Sequence, residues 1–469
     1  MSSSDASSSG NRAAPPPCCF FAGVGGSGMS ALAQYHAWRG GESRGSDRAF
    51  DRGERRAIRA ALASAGVAIA PQDGSGVAGC DALVVSTAVE ETVPDVVAAR
   101  AGGLEILHRS ELLARFVASA RTVAVTGTSG KSTTVAMIFA ILRAAGRHPG
   151  VITGGPLAEL QDEGLLGNAW ADVDGDLLVI EADESDGSLV RYRPWAGVVL
   201  NLQRDHKEPA EVAEMFRVFR GRVAGPLVAG EDPNLDFLDG AVRFGFGPDA
   251  HVRAEDVELA PVGAAFTIDG ARFSLPTPGR HNVLNALAAV AACREAGVTP
   301  AEASAALRGF RGVARRFQVL GRSRGVTVVD DFAHNPDKLR AALAAARLRA
   351  AADGGRVLAF FQPHGYGPTR FLFDDLTAAF AEALAAGDAL WLPPIYYAGG
   401  TVDRDVESTD LSAAIRAAGA DARDLSDRAD LPGAVAAEAR AGDVVMVMGA
   451  RDPALTDLGR AVLARLGGA

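Results

Sequence analysis

The chain has 469 residues, 48% of them apolar and 22% charged, with a formal net charge of −10. At about 150 residues per domain, that length predicts roughly three globular domains. An acidic chain with 6% aromatic residues is a poor general binder of nucleic acid or anionic membrane. Cys18, Cys19, Cys80 and Cys293 are too few and too scattered for a disulfide framework or a zinc cage. No apolar run approaches the ~20 residues that span a bilayer. The expectation is a soluble cytoplasmic protein, monomer or homodimer, with no nucleic-acid or membrane partner.

Along the chain, MSSSDASSSGNRAAPPP lacks the basic and apolar regions of a secretory signal and reads as a disordered tail over residues 1–17. CCFFAGVGG opens the first unit with a buried strand and a glycine turn. Gly23-Val24-Gly25-Gly26-Ser27-Gly28 fits GxGxxG, and Asp47 follows at the spacing of a dinucleotide fingerprint. Two readings fit that loop: an NAD site, or a nucleotide-diphosphate substrate held on backbone amides. DALVVSTAV supplies another strand, and a helix ends in LARFVASA, so the first domain is placed at 18–118. A second unit starts near Thr122 with RTVAVT. It continues through LLVIEADESD and AGVVLNLQRDH, and residues 240–279 read as β-hairpin material beside its sheet. A third begins after about Val313, giving domains of 119–313 and 314–469. Its strands are GVTVVDD, RVLAFFQP, DALWLPP and DVVMVMGA. Short continuous apolar runs alternating with helical stretches predict parallel sheets in α/β domains.

The strongest local signal is Gly127-Thr128-Ser129-Gly130-Lys131-Ser132-Thr133, after one apolar strand and before the apolar helix VAMIFAIL. A glycine turn at a helix N-terminus aims backbone N–H groups at one anion, and the helix dipole adds to the attraction. Lys131 supplies a charge for the β- and γ-phosphates, and the Ser132 hydroxyl can ligate Mg²⁺. Val125 stands where the first glycine of a full P-loop would be. At the ends of the next strands lie Glu181, Asp183, Glu184 and Asp186, then Asp205 and His206. Carboxylate and imidazole there suit Mg²⁺ or Mn²⁺ held with substrate phosphates; the alternative is a solvated acidic turn and a surface histidine.

GVGGSGM, GSD at 45–47, GTSGKSTT, EADESD, DH at 205–206, GRHNVLNALAA, RRFQ, DDFAHNP, FQPH and IYYAG stand in an order that resembles the Mur ligase family from Phe20 onward. The resemblance implies three α/β domains: a Rossmann-like first, a central P-loop ATPase-like one with a β-hairpin insertion, and a Rossmann-like last. It implies ATP-dependent amide-bond formation through an acyl phosphate for peptidoglycan synthesis. UDP-N-acetylmuramate would be the acid and alanine the amine. By motif, Gly25, Gly26, Ser27, Gly28, Met29, Ser46, Asp47, Ser86 and Thr87 would hold the UDP-sugar. The loop 127–133, His281, Asn282, Asn285, Arg316 and Asp331 would hold ATP. Ser132, Glu181 and His206 would bind Mg²⁺ (or Mn²⁺), and Lys131, Arg316 and His334 would be catalytic. Phe332, His334, Asn335, His364, Tyr366 and Arg370 would meet the amine.

The departures from that pattern cluster at the substrate ends. Ser129 replaces a histidine of the phosphate loop, and Asn335 replaces the second histidine of His-His-Pro. Gly365 and Pro368 stand in place of two arginines, and Lys207-Glu208-Pro209 replaces the usual Met-Asp start of the loop after His206. Losing planar, bidentate donors is not a conservative change, so a Mur-type ligase for a different amine or acid, in peptide recycling or outside the wall pathway, is the alternative expectation. An NAD-dependent oxidoreductase and a nucleotide-binding pseudoenzyme rank behind it.

Overall fold

The computed structural model describes residues 14–205, 207–397, 403–450, 452 and 454–468. Each apolar run named above forms a strand. Cys18–Ala22, Val357–Phe361 and Val444–Met448 are buried at every residue, as strands covered on both faces must be. By compactness the chain falls into two units. One comprises the chain through Leu202 with Pro209–Arg253 and Asn285–Arg311; the other comprises Gln203–Glu208, Ala254–Leu284 and Gly312 onward.

The first unit carries two sheets. In the first the order is Val67–Ile69, Glu42–Ser46, Cys18–Ala22, Ala82–Val85, Glu105–His108, parallel throughout. Chain order reverses beside Cys18–Ala22, so the glycine turn after that strand opens at the switch point where α/β sheets bind ligands. The second sheet runs Val252–Arg253, Val242–Gly245, Leu227–Gly230, Ala196–Val199, Arg121–Thr126, Leu177–Glu181, Gly150–Ile152, Ala169–Trp170, with only the last pair antiparallel. Val125 pairs with Glu181 and Thr126 with Val199. That register sets the ends of three strands side by side. One apolar core, including Phe21, Tyr35, Phe116, Leu178, Ile180 and Phe216, runs between the two sheets, which accounts for their single compact unit.

The second unit holds a three-stranded antiparallel sheet, Glu255–Ala260, Gly263–Ile268, Ala271–Leu275, and a larger one. The larger runs Gln318–Ser323, Val326–Asp331, Val444–Met448, Val357–Phe361, Ala389–Leu392, Ala422–Asp424, with apolar clusters on both faces. The expected hairpin region, 240–279, therefore splits: Val242–Gly245 and Val252–Arg253 extend the second sheet in parallel, and only 255–275 is antiparallel. No helix among the described residues is long and apolar enough to cross a membrane.

The expected tail also differs. Residues 1–13 lie outside the described ones, but Pro16 is buried and its carbonyl accepts a hydrogen bond from His36 Nε2 at 2.8 Å. Pro17 O accepts from Glu42 N at 2.8 Å, so the packed chain starts ahead of Cys18.

Asn168 pins the helix Ser27–Trp38 to the second sheet. Its amide nitrogen donates to Ser27 O (2.7 Å) and Ser30 Oγ (2.8 Å), and its Oδ1 accepts from Gln34 Nε2 (3.0 Å). Asn168→Ala leaves those buried groups short of partners, an expected loss of about 2–3 kcal/mol. A urea midpoint lowered at constant slope reads it; an unchanged midpoint would show the link to be dispensable.

Candidate active site

The strand Arg121–Thr126 ends in a turn whose backbone only glycine tolerates. Gly127 has φ +129°, and a Cβ there would lie 2.9 Å from Leu200 Cβ; at Gly130 (φ +92°) a Cβ would lie 2.3 Å from Asn285 Oδ1. Asn201 holds the turn from the neighbouring strand's end, accepting from Ser129 N (2.9 Å) and donating to Ser129 O (3.0 Å). The helix Lys131–Ala144 starts directly behind Gly130, so its N-terminal amides face the turn, the arrangement that favours a phosphate. Thr134 Oγ1 donates to Asn285 Oδ1 at 3.4 Å. One of the expected nucleotide asparagines is thus set against the loop.

The acidic strand end delivers its carboxylates to this loop. Ser132 Oγ donates to Glu181 Oε2 (3.0 Å), and Thr153 Oγ1 (3.1 Å) and Gly154 N (2.9 Å) donate to the same oxygen. Lys131 Nζ donates to Glu184 (2.7 Å) and to Gly127 O (2.9 Å), with Asp183 at 3.5 Å. The Lys131 side chain is only 12% exposed. Burial alone would lower its pKa, but Glu184, Asp183 and Glu181 outweigh that and raise it, so the ammonium stays charged. Burial pushes Glu184 above the usual carboxylate range, with Lys131 pulling it back. For Asp183 the opposing burial is overcome by Lys131 and the Ser185 N–H, and its pKa falls.

A cleft of about 90 Å³ in the same unit is lined by Gly28, Arg109, Thr153, Glu181, Asp186 and Tyr192, among others. Gly28 and Ser27 belong to the first glycine loop. Arg109 donates to Asp186 at 2.7 Å. Gly25 N and Ala49 N donate to the two oxygens of Asp47 (3.0 and 2.8 Å). Asp47 therefore braces the loop, and its carboxylate is already engaged where a dinucleotide fingerprint would offer it to a ribose. Gly26 is half-buried and Met29 buried, and Ser46 Oγ donates to the buried Asp95. Ser86 is half-buried and Thr87 exposed, in the turn after Ala82–Val85.

In the second unit the ends of Val326–Asp331, Val357–Phe361 and Val444–Met448 lie together, since Met448 pairs with both Asp331 and Phe361. Asp331 accepts from Phe317 N (2.6 Å) and Ala333 N (2.7 Å); burial raises its pKa against the pull of Arg316 and those amides. Arg315 is locked onto Asp330 and the carbonyls of Gly449 and Asp452, whereas the guanidinium of Arg316 lies over the Phe332 ring at 4.9 Å. Asn282 Nδ2 donates to Pro278 O (2.7 Å) at the start of its helix, and burial lowers His281 to about 4, leaving it neutral.

His334 is buried, with Nδ1 2.9 Å from Phe332 O. A carbonyl only accepts, so Nδ1 carries the proton and Nε2 is the acceptor. Burial and the Lys338 ammonium, 3.5 Å from Nε2, keep its pKa well below the ordinary histidine value. Lys338 and Asn335 Nδ2 both donate to Asp205 Oδ2 at 2.8 Å, and Asn335 Oδ1 caps the helix Pro336–Ala352 through Lys338 N. The His364 ring stands edge-on to His334 at 5.4 Å. Tyr366 is buried against Tyr397, and Arg370 is paired with Asp405. His206, the expected metal ligand, lies outside the described residues.

Sequence reasoning passes over Thr153, Asn201, Arg109 and Lys338. Lys338 alone had a readable signal, in the first turn of the helix that begins two residues after His334.

Comparison with known proteins agrees with this geometry. The Mur ligase family, catalytic domain, matches residues 20–121, and the Mur ligase, glutamate ligase domain, matches 315–451. UDP-N-acetylmuramate–L-alanine ligase of Symbiobacterium thermophilum is 39% identical, covering 92% of this chain and 91% of the relative. The chain belongs to the Mur ligase family. A ligase of the same description from Streptomyces coelicolor is 38% identical over 95% of this chain and 97% of its own. The crystal structure of UDP-N-acetylmuramate–alanine ligase from Thermotoga maritima superposes with a TM-score of 0.77 at 25% identity, covering 96% and 99% of the two chains. The three-domain α/β architecture is thus that of the family.

The donor set suits Mg²⁺ with ATP phosphates: the Ser132 hydroxyl and the Glu181 carboxylate are hard oxygens 3.0 Å apart, at the mouth of an amide-lined turn. Lys131→Ala is expected to cut turnover at least ~10³-fold, about 4 kcal/mol of barrier. It also removes the counter-ion of buried Glu184. Glu184's folded pKa then rises further above its unfolded value of about 4.3, so stability falls as pH climbs. The Tm gap between parent and variant should widen from pH 5 to pH 8; a constant gap would remove Lys131 as that counter-ion.

Proposed function

We propose that this protein joins the carboxyl group of UDP-N-acetylmuramate to the amino group of L-alanine at the expense of ATP, in the cytoplasmic assembly of peptidoglycan precursor. What carries the reading is the phosphate loop, with Ser132 bonded to Glu181 and Lys131 held by Glu184, in a chain 39% identical to such a ligase over 92% of its length. Residues 18–118 would hold the UDP-sugar on the first glycine loop, 119–313 the ATP, and 314–469 the amine.

A carboxylate resists an amine at neutral pH until its oxygen becomes a leaving group, and the γ-phosphoryl of ATP provides that as an acyl phosphate. Mg²⁺ held by Ser132, Glu181 and His206 would screen phosphate charge. The turn 127–130 positions the phosphates on fixed amides, and Lys131, always charged, neutralises the transferring group. Arg316, whose guanidinium lies over Phe332, would add a second cation. The amine must lose a proton as it attacks. His334, with Nε2 as an acceptor, would take that proton, against a pKa that burial and Lys338 hold well below the ordinary histidine value.

Inorganic phosphate release tests this with UDP-N-acetylmuramate and a panel of amino acids and amines. Release should require both acid and amine and be fastest with L-alanine. Gly365 and Pro368, in place of arginines, favour the panel, since a bulkier amine or one lacking a carboxylate would win if no other cation replaces them. Release with neither co-substrate would overturn the ligase assignment. Glu181→Gln keeps an acceptor for Ser132 and removes a charge. It should raise the Mg²⁺ needed for half-maximal rate by about fivefold or more, whereas an unchanged metal titration would make Glu181 purely structural.

A further inference from the structure

Gly365 and Pro368 stand where the family pattern has two arginines, and Arg370, the cation that remains nearby in sequence, is paired with Asp405. A different guanidinium stands beside the same motif. Arg404 lies over the Tyr397 ring at 4.6 Å and over the Tyr366 ring at 5.6 Å. The two rings meet edge-on at 5.6 Å. The strand-like pairing of His364 with Tyr396, and the hydrogen bonds Gly365 N to Tyr396 O and Tyr396 N to Pro363 O (both 2.8 Å), fasten this aromatic pair to the histidine loop. Arg404 is exposed and makes no ion pair or hydrogen bond among the described residues. Its one adjacent carboxylate on the C-terminal side, Asp405, is the one claimed by Arg370.

A guanidinium held against aromatic faces keeps its in-plane N–H fork available, and that fork matches a carboxylate with two parallel hydrogen bonds. The aromatic contacts also limit its rotamers, so less side-chain freedom is lost when an anion docks. Tyr366 is the tyrosine of the same Pro-His-x-Tyr motif from which the arginines are gone, so Arg404 is seated on the residue next to the substituted position 365.

We propose that Arg404, seated on Tyr366 and Tyr397, receives the α-carboxylate of the incoming amino acid in place of the guanidinium groups absent at 365 and 368. This rests on the ligase reading above. Arg404 is then a specificity residue: it distinguishes an amino acid from the same amine without its carboxylate.

The test compares the parent with R404M and R404K on L-alanine, or the best amino acid of the panel, and on its amide. R404M should lower the acid-over-amide ratio of kcat/KM by about 10- to 100-fold, the range of a charged hydrogen-bonded contact. The loss should sit in KM for the amino acid, with KM for ATP within about twofold and with parental Tm. R404K, which keeps the charge and loses the fork, should fall between. A ratio unchanged in a folded R404M overturns the proposal, and so does an equal loss on acid and amide, which would make Arg404 mere packing for the tyrosines. A parent that releases phosphate with no amino acid overturns the ligase reading itself and takes the proposal with it; an active parent insensitive to R404M overturns the proposal alone.

Discussion

A carboxylate that accepts hydrogen bonds from separate loops dictates where those loops can be. Glu181 does so for the phosphate-loop helix through Ser132 and for the next strand's turn through Thr153 and Gly154. Its own position follows from parallel register, Val125 against Glu181. Shift that register by one residue and the side chain moves to the other face of the sheet, taking the hydroxyl partner, the lysine's acidic surroundings and the Mg²⁺ donor set with it. The chemistry at the loop is therefore a property of strand pairing as much as of the loop's own residues.

The second unit uses carboxylates in the same bracing role. Asp331 is fixed by two backbone amides, and Asp205 by Asn335 and Lys338. Buried acids of this kind persist because each charge has named donors; unpaired, they would cost several kcal/mol. The pairing at Asp205 also has an effect on its neighbour. A free carboxylate 3.8 Å from His334 Nε2 would draw a proton onto the ring, and the ammonium of Lys338 opposes that.

The phosphate loop, the acidic strand end and the succession of strands along the chain were legible in the sequence because each is written in a contiguous run with a local cause. Continuous apolar runs mark strands covered on both faces, and glycines mark turns that admit no Cβ. Glu42–Ser46, an interior strand reading ESRGS, was not legible: its place comes from backbone pairing with neighbours on either side, and no apolar signal accompanies it. Residues 242–253 were misread as hairpin for a related reason, since strands at the sheet's edge look alike whether they run parallel or antiparallel. Asn335 shows the limit for sites. As a departure from the family pattern it read as a change in amine binding. In the structure it is fully buried, capping a helix and holding Asp205, a role that only the fold reveals. Arg404 was invisible because aromatic seating between residues far apart in the chain leaves no spacing to read.

The latch between Pro16 and His36 bears on how the protein can be handled. His36 is buried, its Nδ1 lies 2.8 Å from Ser43 Oγ, and its Nε2 meets the Pro16 carbonyl. Burial lowers its pKa, so the latch works with a neutral ring. A fusion junction or protease site introduced at Cys18 would delete the carbonyl and leave a buried imidazole nitrogen without its acceptor, a loss of about 1–3 kcal/mol felt by the sheet that carries the first glycine loop. Tags belong ahead of Pro15.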